Sequence, residues 1–129
     1  MRFKLTQEIQ MKRLTQEEVD FAANEARILK ELDHPHIVRY EGAFQMDNVF
    51  RILMEYCNSG DLADKIRAQQ GQFFTEFLIL DWFTQICSAI DYCHTKHILH
   101  RDLKPSNIFI QNDGNVEKVH KLFIIRFDL

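Results

Sequence analysis

The residues best suited to chemistry stand together in His97-Ile98-Leu99-His100-Arg101-Asp102-Leu103-Lys104-Pro105-Ser106-Asn107-Ile108-Phe109-Ile110. An apolar pair leads in, five polar groups (His100, Arg101, Asp102, Lys104 and Asn107) follow within eight residues, and an apolar triplet closes the run. Buried flanks on both sides suit a loop held rigid to present its side chains. A carboxylate such as Asp102 can accept the proton of an attacking hydroxyl. The ammonium of Lys104, two residues on, can stabilise developing negative charge. The amide oxygen of Asn107, five residues on, can ligate a hard divalent cation. An ordinary turn explains Pro105 and Asn107, but not His-Arg-Asp before them with an apolar triplet after them.

The elements that must position this loop are legible around it. Thr15-Gln16-Glu17-Glu18 reads as a capping box, with Thr15 as N-cap. Behind it Val19, Ala22, Ala23, Ala26 and Leu29 recur at helical spacing, which predicts an amphipathic helix over about residues 16–32, stopped by His34-Pro35. Ile37, Val38, Tyr40 and Phe44, then Val49 to Met54, read as two strands joined through Met46-Asp47-Asn48. Residues 3–10 read as a further short strand. Asp61 caps a short helix that ends before Gly71. Thr75 caps a long helix over about residues 76–95, whose stripe of Ile79, Trp82, Phe83, Ile86, Ile90 and Cys93 predicts a core helix. This helix delivers the chain into the polar loop. Beyond the loop, Ile108 to Ile110 and Val116 flank Gln111-Asn112-Asp113-Gly114, a hairpin turn signal. Lys118 to Leu129 shows no assignable periodicity.

Composition narrows the class of protein. A chain of 129 residues with 46% hydrophobic and 27% charged residues is globular in character, with one core and no low-complexity linker. A net charge of −3, with no basic run longer than two residues, argues against nucleic acid or an anionic membrane as the main partner. Cys57, Cys87 and Cys93 are odd in number and form no C-x-x-C, as suits reduced thiols in the cytoplasm or nucleus. No apolar signal region follows Met1-Arg2-Phe3-Lys4, and the run Leu122 to Ile125 is too short to span a bilayer. His94, His97 and His100 repeat every three residues, but no carboxylate or cysteine completes a metal-ligand set. We read His100 as packing under the loop and the other two as capping a helix end. Met54, Cys57 and Trp82 read as packing residues.

The pattern H-R-D-x-K-x-x-N from His100 to Asn107 resembles the catalytic loop of protein kinases. Other segments extend the resemblance. Glu25-Ala26-Arg27-Ile28-Leu29, followed by Leu32-Asp33-His34-Pro35-His36-Ile37-Val38, is similar to the family's small-lobe helix αC and its exit. Leu53 to Cys57 with Ser59-Gly60-Asp61-Leu62 is similar to the hinge and the start of the next helix. With Ile79 to Cys87 and His100 to Phe109, these segments look most like the NIMA-related serine/threonine kinases, over about residues 5–117. The resemblance implies an incomplete α+β, protein-kinase-like fold. Residues 1–57 would be a small-lobe remnant with hinge, 58–117 the start of the helical large lobe with its catalytic loop, and 118–129 a divergent tail. It implies transfer of the ATP γ-phosphate to serine or threonine hydroxyls of protein substrates. Asp102 would be the base, Lys104 the charge stabiliser, Asn107 a Mg²⁺ ligand, and His100 and Arg101 the loop's supports. Glu25, Met54, Glu55, Tyr56, Cys57 and Asp61 would serve the nucleotide site. The expected setting is cytoplasmic, nuclear or cytoskeletal.

Three family features are missing from the sequence. No G-x-G-x-x-G occurs among its four glycines. The strand-three lysine register falls on Gln7, and Lys4 or Lys12 would need a shift, which leaves Glu25 without its usual ion-pair partner. His120-Lys121-Leu122 stands where D-F-G belongs, although Phe127-Asp128-Leu129 holds similar letters near the end. Loss of one electrostatic stabiliser typically costs on the order of 10²–10³ in rate. The expectation is therefore a serine/threonine kinase in truncated form, inactive alone. The alternative is a noncatalytic kinase-like module that binds partners or its own kind through an exposed core.

Overall fold

The computed structural model describes residues 15–46, 49–112 and 117–122. Within them the chain forms α1 (Gln16–Lys30), β1 (Tyr40–Met46), β2 (Val49–Met54), α2 (Leu62–Ala68), α3 (Glu76–Thr95), a 3-10 turn (Pro105–Asn107), β3 (Ile108–Asn112) and β4 (Glu117–Leu122). The proposed strand over residues 3–10 and the register of Lys4, Gln7 and Lys12 lie outside the described residues, as do Gly114, Val116 and the segment 123–129. No described helix is long and apolar enough to cross a membrane.

Two compact units emerge. One holds α1, β1 and β2; the other holds residues 34–38, α2, α3, the polar loop, β3 and β4. In the first, α1 starts at the expected capping box. The Thr15 hydroxyl accepts the Glu18 N–H, and the Glu18 carboxylate accepts the Thr15 N–H at 2.6 Å. Its helical turns stop at Lys30, with Glu31 as C-cap, two residues short of the expected end. β1 and β2 pair antiparallel from Met46↔Val49 to Tyr40↔Met54, with a bulge between Tyr40 and Gly42. Ile37 and Val38, expected within the first strand, precede it: Ile37 is buried in the other unit instead. Ala26, Leu32, Ile52 and Met54 form the buried apolar residues of the first unit.

In the second unit, Asp61 and Thr75 cap α2 and α3 as expected. Asp61 Oδ1 accepts the Asp64 N–H at 2.8 Å, and the Thr75 hydroxyl accepts the Leu78 N–H at 3.3 Å. The buried face of α3 differs from the expected stripe. Trp82, Ala89 and Cys93 are buried, Ile86 and Ile90 are half-buried, and Ile79 and Phe83 stand in solvent at 48% and 61% exposure. Residues 82, 89 and 93 lie within about 40° of one another around the helix, whereas Phe83 is turned about 100° from Trp82. β4 and His34 both pack along α3. His34 bonds Ser88 at 3.2 Å and its ring lies 5.1 Å from that of Tyr92, while β4 packs on α3. Burial pushes the Cys93 thiol up to about 11, so it is an inert packing group.

β4 is itself a departure from expectation. Residues 117–122 continue in register with β3, from Asn112↔Glu117 to Ile108↔Leu122. A shift between Phe109 and Ile110 leaves His120 bulged out of the register. Strand partners, not periodicity, make this segment extended. Gln111 and Asn112, expected in a turn, belong to β3 instead, and the rest of that expected turn lies outside the described residues.

The exit of α3 sets the direction of the polar loop. Ile98 N–H reaches back to the Cys93 carbonyl and His97 N–H to the His94 carbonyl, each at 2.9 Å, which is a Schellman closure with His97 at the left-handed position. His97 has φ 61°, where a side chain costs roughly 1–2 kcal/mol that glycine avoids. We therefore expect His97→Gly to raise unfolding stability by about 0.5–1 kcal/mol after the greater chain entropy of glycine is deducted. Urea melts check this, and a loss of stability would show that the imidazole makes a contact worth more than the strain.

Candidate active site

The polar loop begins from a buried anchor. His100 is 8% exposed, and its Nδ1 accepts the Asp102 N–H at 3.2 Å. Between them Arg101 takes φ 60°, and this reversal lets the Asp102 amide turn back to the ring beneath it. Arg101 itself stands exposed. Pro105 then opens the 3-10 turn, where a fixed φ suits the first position, and the Asn107 N–H bonds the Lys104 carbonyl at 2.9 Å. The turn brings Asn107 back over Asp102.

Three side chains meet as a result. Lys104 Nζ lies 2.9 Å from Asp102 Oδ2. Asn107 Nδ2 donates to the same oxygen at 3.0 Å and to the Asp102 carbonyl at 2.8 Å. Both donors converge on Oδ2, so Oδ1 keeps its lone pairs for an incoming hydroxyl. The Asn107 amide oxygen is not used in either bond, which leaves it for a cation. The Lys104 hydrogen bond first, then that from Asn107, holds the Asp102 carboxyl below the usual aspartate range. Asp102 therefore stays ionised at neutral pH. It is a weak base in solution terms, suited to orienting a hydroxyl and taking its proton as that hydroxyl reacts.

Beyond the loop, β3 ties the site to the start of α2. Ser59 N–H bonds the Ile110 carbonyl at 3.1 Å, Ile110 N–H bonds the Gly60 carbonyl at 2.9 Å, and Asp61 bridges to Phe109. Gly60 has φ 73°, and a Cβ there would meet the Asp64 carboxylate at 3.1 Å. The backbone angle favours glycine, and the Asp64 carboxylate would have to shift slightly for a larger residue. Sequence reading placed His97 at a helix end but passed over Gly60 as a positioning residue; a lone glycine before a capping aspartate is its signal.

The remaining expected residues are divided between the two units. Met54 ends β2 and is buried; the Glu55 N–H bonds the Arg39 carbonyl at 2.9 Å; Tyr56 is exposed. These and Glu25, which lies on α1, belong to the first unit. Cys57 and Asp61 belong to the second, with the loop, and the Asp61 carboxylate is committed to capping α2. His94, His97 and His100 end α3, form its closure and anchor the loop, respectively.

The electrostatics of Asp102 can be read directly. Carboxyl carbon NMR titration should place its midpoint below that of ordinary aspartates, and Lys104→Met should move it up more than Asn107→Ala does. Because the folded value is depressed, any stability that Asp102 adds is present above the unfolded value and is lost as pH falls through the folded one. An ordinary midpoint in the unaltered protein would mean that neither donor holds Oδ2 in solution.

Comparison with known proteins identifies the family. The protein kinase domain family model matches residues 4–126. Serine/threonine-protein kinase Nek1 of Mus musculus is 41% identical over 116 residues, which are 90% of this chain and 10% of that protein. Serine/threonine-protein kinase Nek11 of Homo sapiens is 42% identical over 112 residues, 85% of this chain and 17% of that protein. The chain spans between 9% and 20% of the length of such curated relatives. A crystal structure of the Mycobacterium tuberculosis PknI kinase domain superposes with a TM-score of 0.71 at 23% identity, covering 85% of this chain and 43% of that one.

Proposed function

We propose, from a chain that belongs to the protein kinase family and to its NIMA-related serine/threonine members, that the loop around Asp102 is a phosphotransfer site for protein serine or threonine hydroxyls. The carrying observation is the convergence of Lys104 and Asn107 on one oxygen of Asp102, within a motif whose three roles need that proximity. Asp102 takes the hydroxyl proton, Lys104 stabilises the transferring phosphoryl group, and Asn107 ligates Mg²⁺. His100 and Arg101 hold the loop's shape. Met54, Glu55, Tyr56 and Cys57 are proposed as the hinge that meets adenine, with Glu25 and Asp61 at the margins of the ATP site. Residues 1–57 act as small-lobe remnant and hinge, 58–117 as the beginning of the large lobe, and 118–129 as a divergent tail. The three thiols are free, and we place the protein in the cytoplasm.

The 129-residue chain is proposed to be inactive alone. Its sequence has no glycine-rich loop, and β4 carries His120-Lys121-Leu122 at the position of the metal-binding aspartate. Positioning and electrostatics supply nearly all of phosphoryl-transfer catalysis, so missing phosphate and metal contacts cannot be offset by an intact base. Binding stabilises by RT ln(1 + [L]/Kd), about 0.4 kcal/mol when the ligand only equals its Kd. Millimolar Mg-ATP should accordingly shift the melting temperature by no more than about 2 °C, and a shift of several degrees would overturn the inactive reading.

The catalytic role of Asp102 is best tested in a longer form that carries the glycine-rich loop, strand-three lysine and D-F-G. There Asp102→Asn should lower kcat by about 10²–10⁴ while the Kd for ATP stays within about twofold, since the base acts on the hydroxyl and not on the nucleotide. Undiminished turnover would remove Asp102 from the mechanism. A second reading has a specific observation in its favour. The apolar residues Phe77, Leu80 and Phe83 of α3 are each more than half exposed, as suits a noncatalytic module that associates with its own kind.

A further inference from the structure

The ladder between β1 and β2 ends in a rung made half of main chain and half of side chain. Beyond Tyr40↔Met54 the next opposed residues are Arg39 and Glu55. In a regular antiparallel sheet, a hydrogen-bonded pair exchanges two N–H to carbonyl bonds. Here the Glu55 N–H donates to the Arg39 carbonyl at 2.9 Å, which is one of the two. The Arg39 N–H goes instead to a side chain, the Glu55 carboxylate, with Oε2 at 3.4 Å. That bond is long, and its strength comes mainly from the charge of the acceptor.

Arg39 supplies the opposite charge. Its Nε and Nη2 both donate to Glu41 Oε1, at 3.0 and 2.8 Å. Glu41 is the extra residue of the bulge between Tyr40 and Gly42, so this pair braces the bend beside the last rung. Glu41 first, by hydrogen bond and charge, and then the charges of Glu55 and Asp33 tighten the hold of Arg39 on its proton. The Arg39 side chain is 61% exposed, so each attraction is modest. Their common effect is directional: one cation draws the Glu55 carboxylate back to the residue that its own N–H already bonds.

We propose that the Glu55 side chain is a positioning group for the hinge. With Arg39 it closes the ladder in place of a main-chain carbonyl, and so sets the orientation in which the peptide between Glu55 and Tyr56 meets adenine. This role rests on the reading of Met54 to Cys57 as the hinge. Arg39, Glu41, Glu55 and Tyr56 all lie in the first unit.

Amide NMR spectra of the full chain, titrated with AMP, test it. The Glu55 and Tyr56 resonances should move on binding. Glu55→Ala should weaken AMP binding about fivefold, as suits the loss of one hydrogen bond, whereas Glu55→Gln keeps an acceptor and should stay within about twofold. Hydrogen exchange reads the rung without a ligand: the Arg39 amide should exchange about tenfold faster in Glu55→Ala and near the native rate in Glu55→Gln. AMP that moves neither Glu55 nor Tyr56 would sink the hinge reading and this role with it. Movement there with equal affinity in the two variants, or an Arg39 amide indifferent to Glu55→Ala, would sink only the positioning role.

Discussion

One carboxylate oxygen, Asp102 Oδ2, receives two donors from residues that lie two and five positions further along the chain. So short a separation leaves the backbone little freedom, and the loop must fold back on itself to close it. The left-handed turn at Arg101, the proline-opened turn at Pro105 and the ring of His100 beneath the Asp102 amide together make that return. Each is local, yet none would persist in an isolated peptide, because fixing each residue's backbone costs roughly 1–2 kcal/mol. Burial of His100, Ile108 and Ile110 in the second unit offsets that cost.

The site is consequently framed by two ladders and one helix end. β3 pairs on one side with residues 59–61 and on the other with β4. The end of α3, closed over His97, aims the chain into His100. A change in any of these moves Asp102 relative to Asn107 before it alters either side chain. This explains why Gly60, distant in sequence from the loop, belongs to its support: its carbonyl holds Ile110 and its left-handed backbone would strain a side chain.

Membership of the protein kinase family and the state of this chain are separate matters. In the loop, Lys104 and Asn107 each reach the same oxygen of Asp102. β4 meanwhile extends through the position where the family places a metal-binding aspartate, paired with β3 on either side of a bulge at His120. The hydrogen bonds of that ladder are satisfied by backbone groups whatever the side chains are, so the substitution costs the fold little. Fold and chemistry can therefore part company at this point: the ladder is kept while the ligand is absent.

How much of this was legible in the sequence depends on the range of each interaction. Thr15 with Glu18, Asp61 with Asp64 and Thr75 with Leu78 are contacts over three residues, and the helix starts they mark were readable from residue types alone. The strand pair 40–54 and the spacing of Asp102, Lys104 and Asn107 were likewise written in the order of the chain. The buried face of α3 was not. Its apolar residues cover more of the helix than any one neighbour can bury, and the fold buried Trp82, Ala89 and Cys93, with the Phe74 ring against Trp82, over Ile79 and Phe83. Nor was β4, whose extended form comes from a partner strand and not from its own pattern. The sequence alone thus determined where elements begin and which groups can react, because those depend on neighbours a few bonds away. Only the tertiary structure decided which faces are covered and how Asp102 is held, because burial and ladder pairing depend on residues brought together by folding.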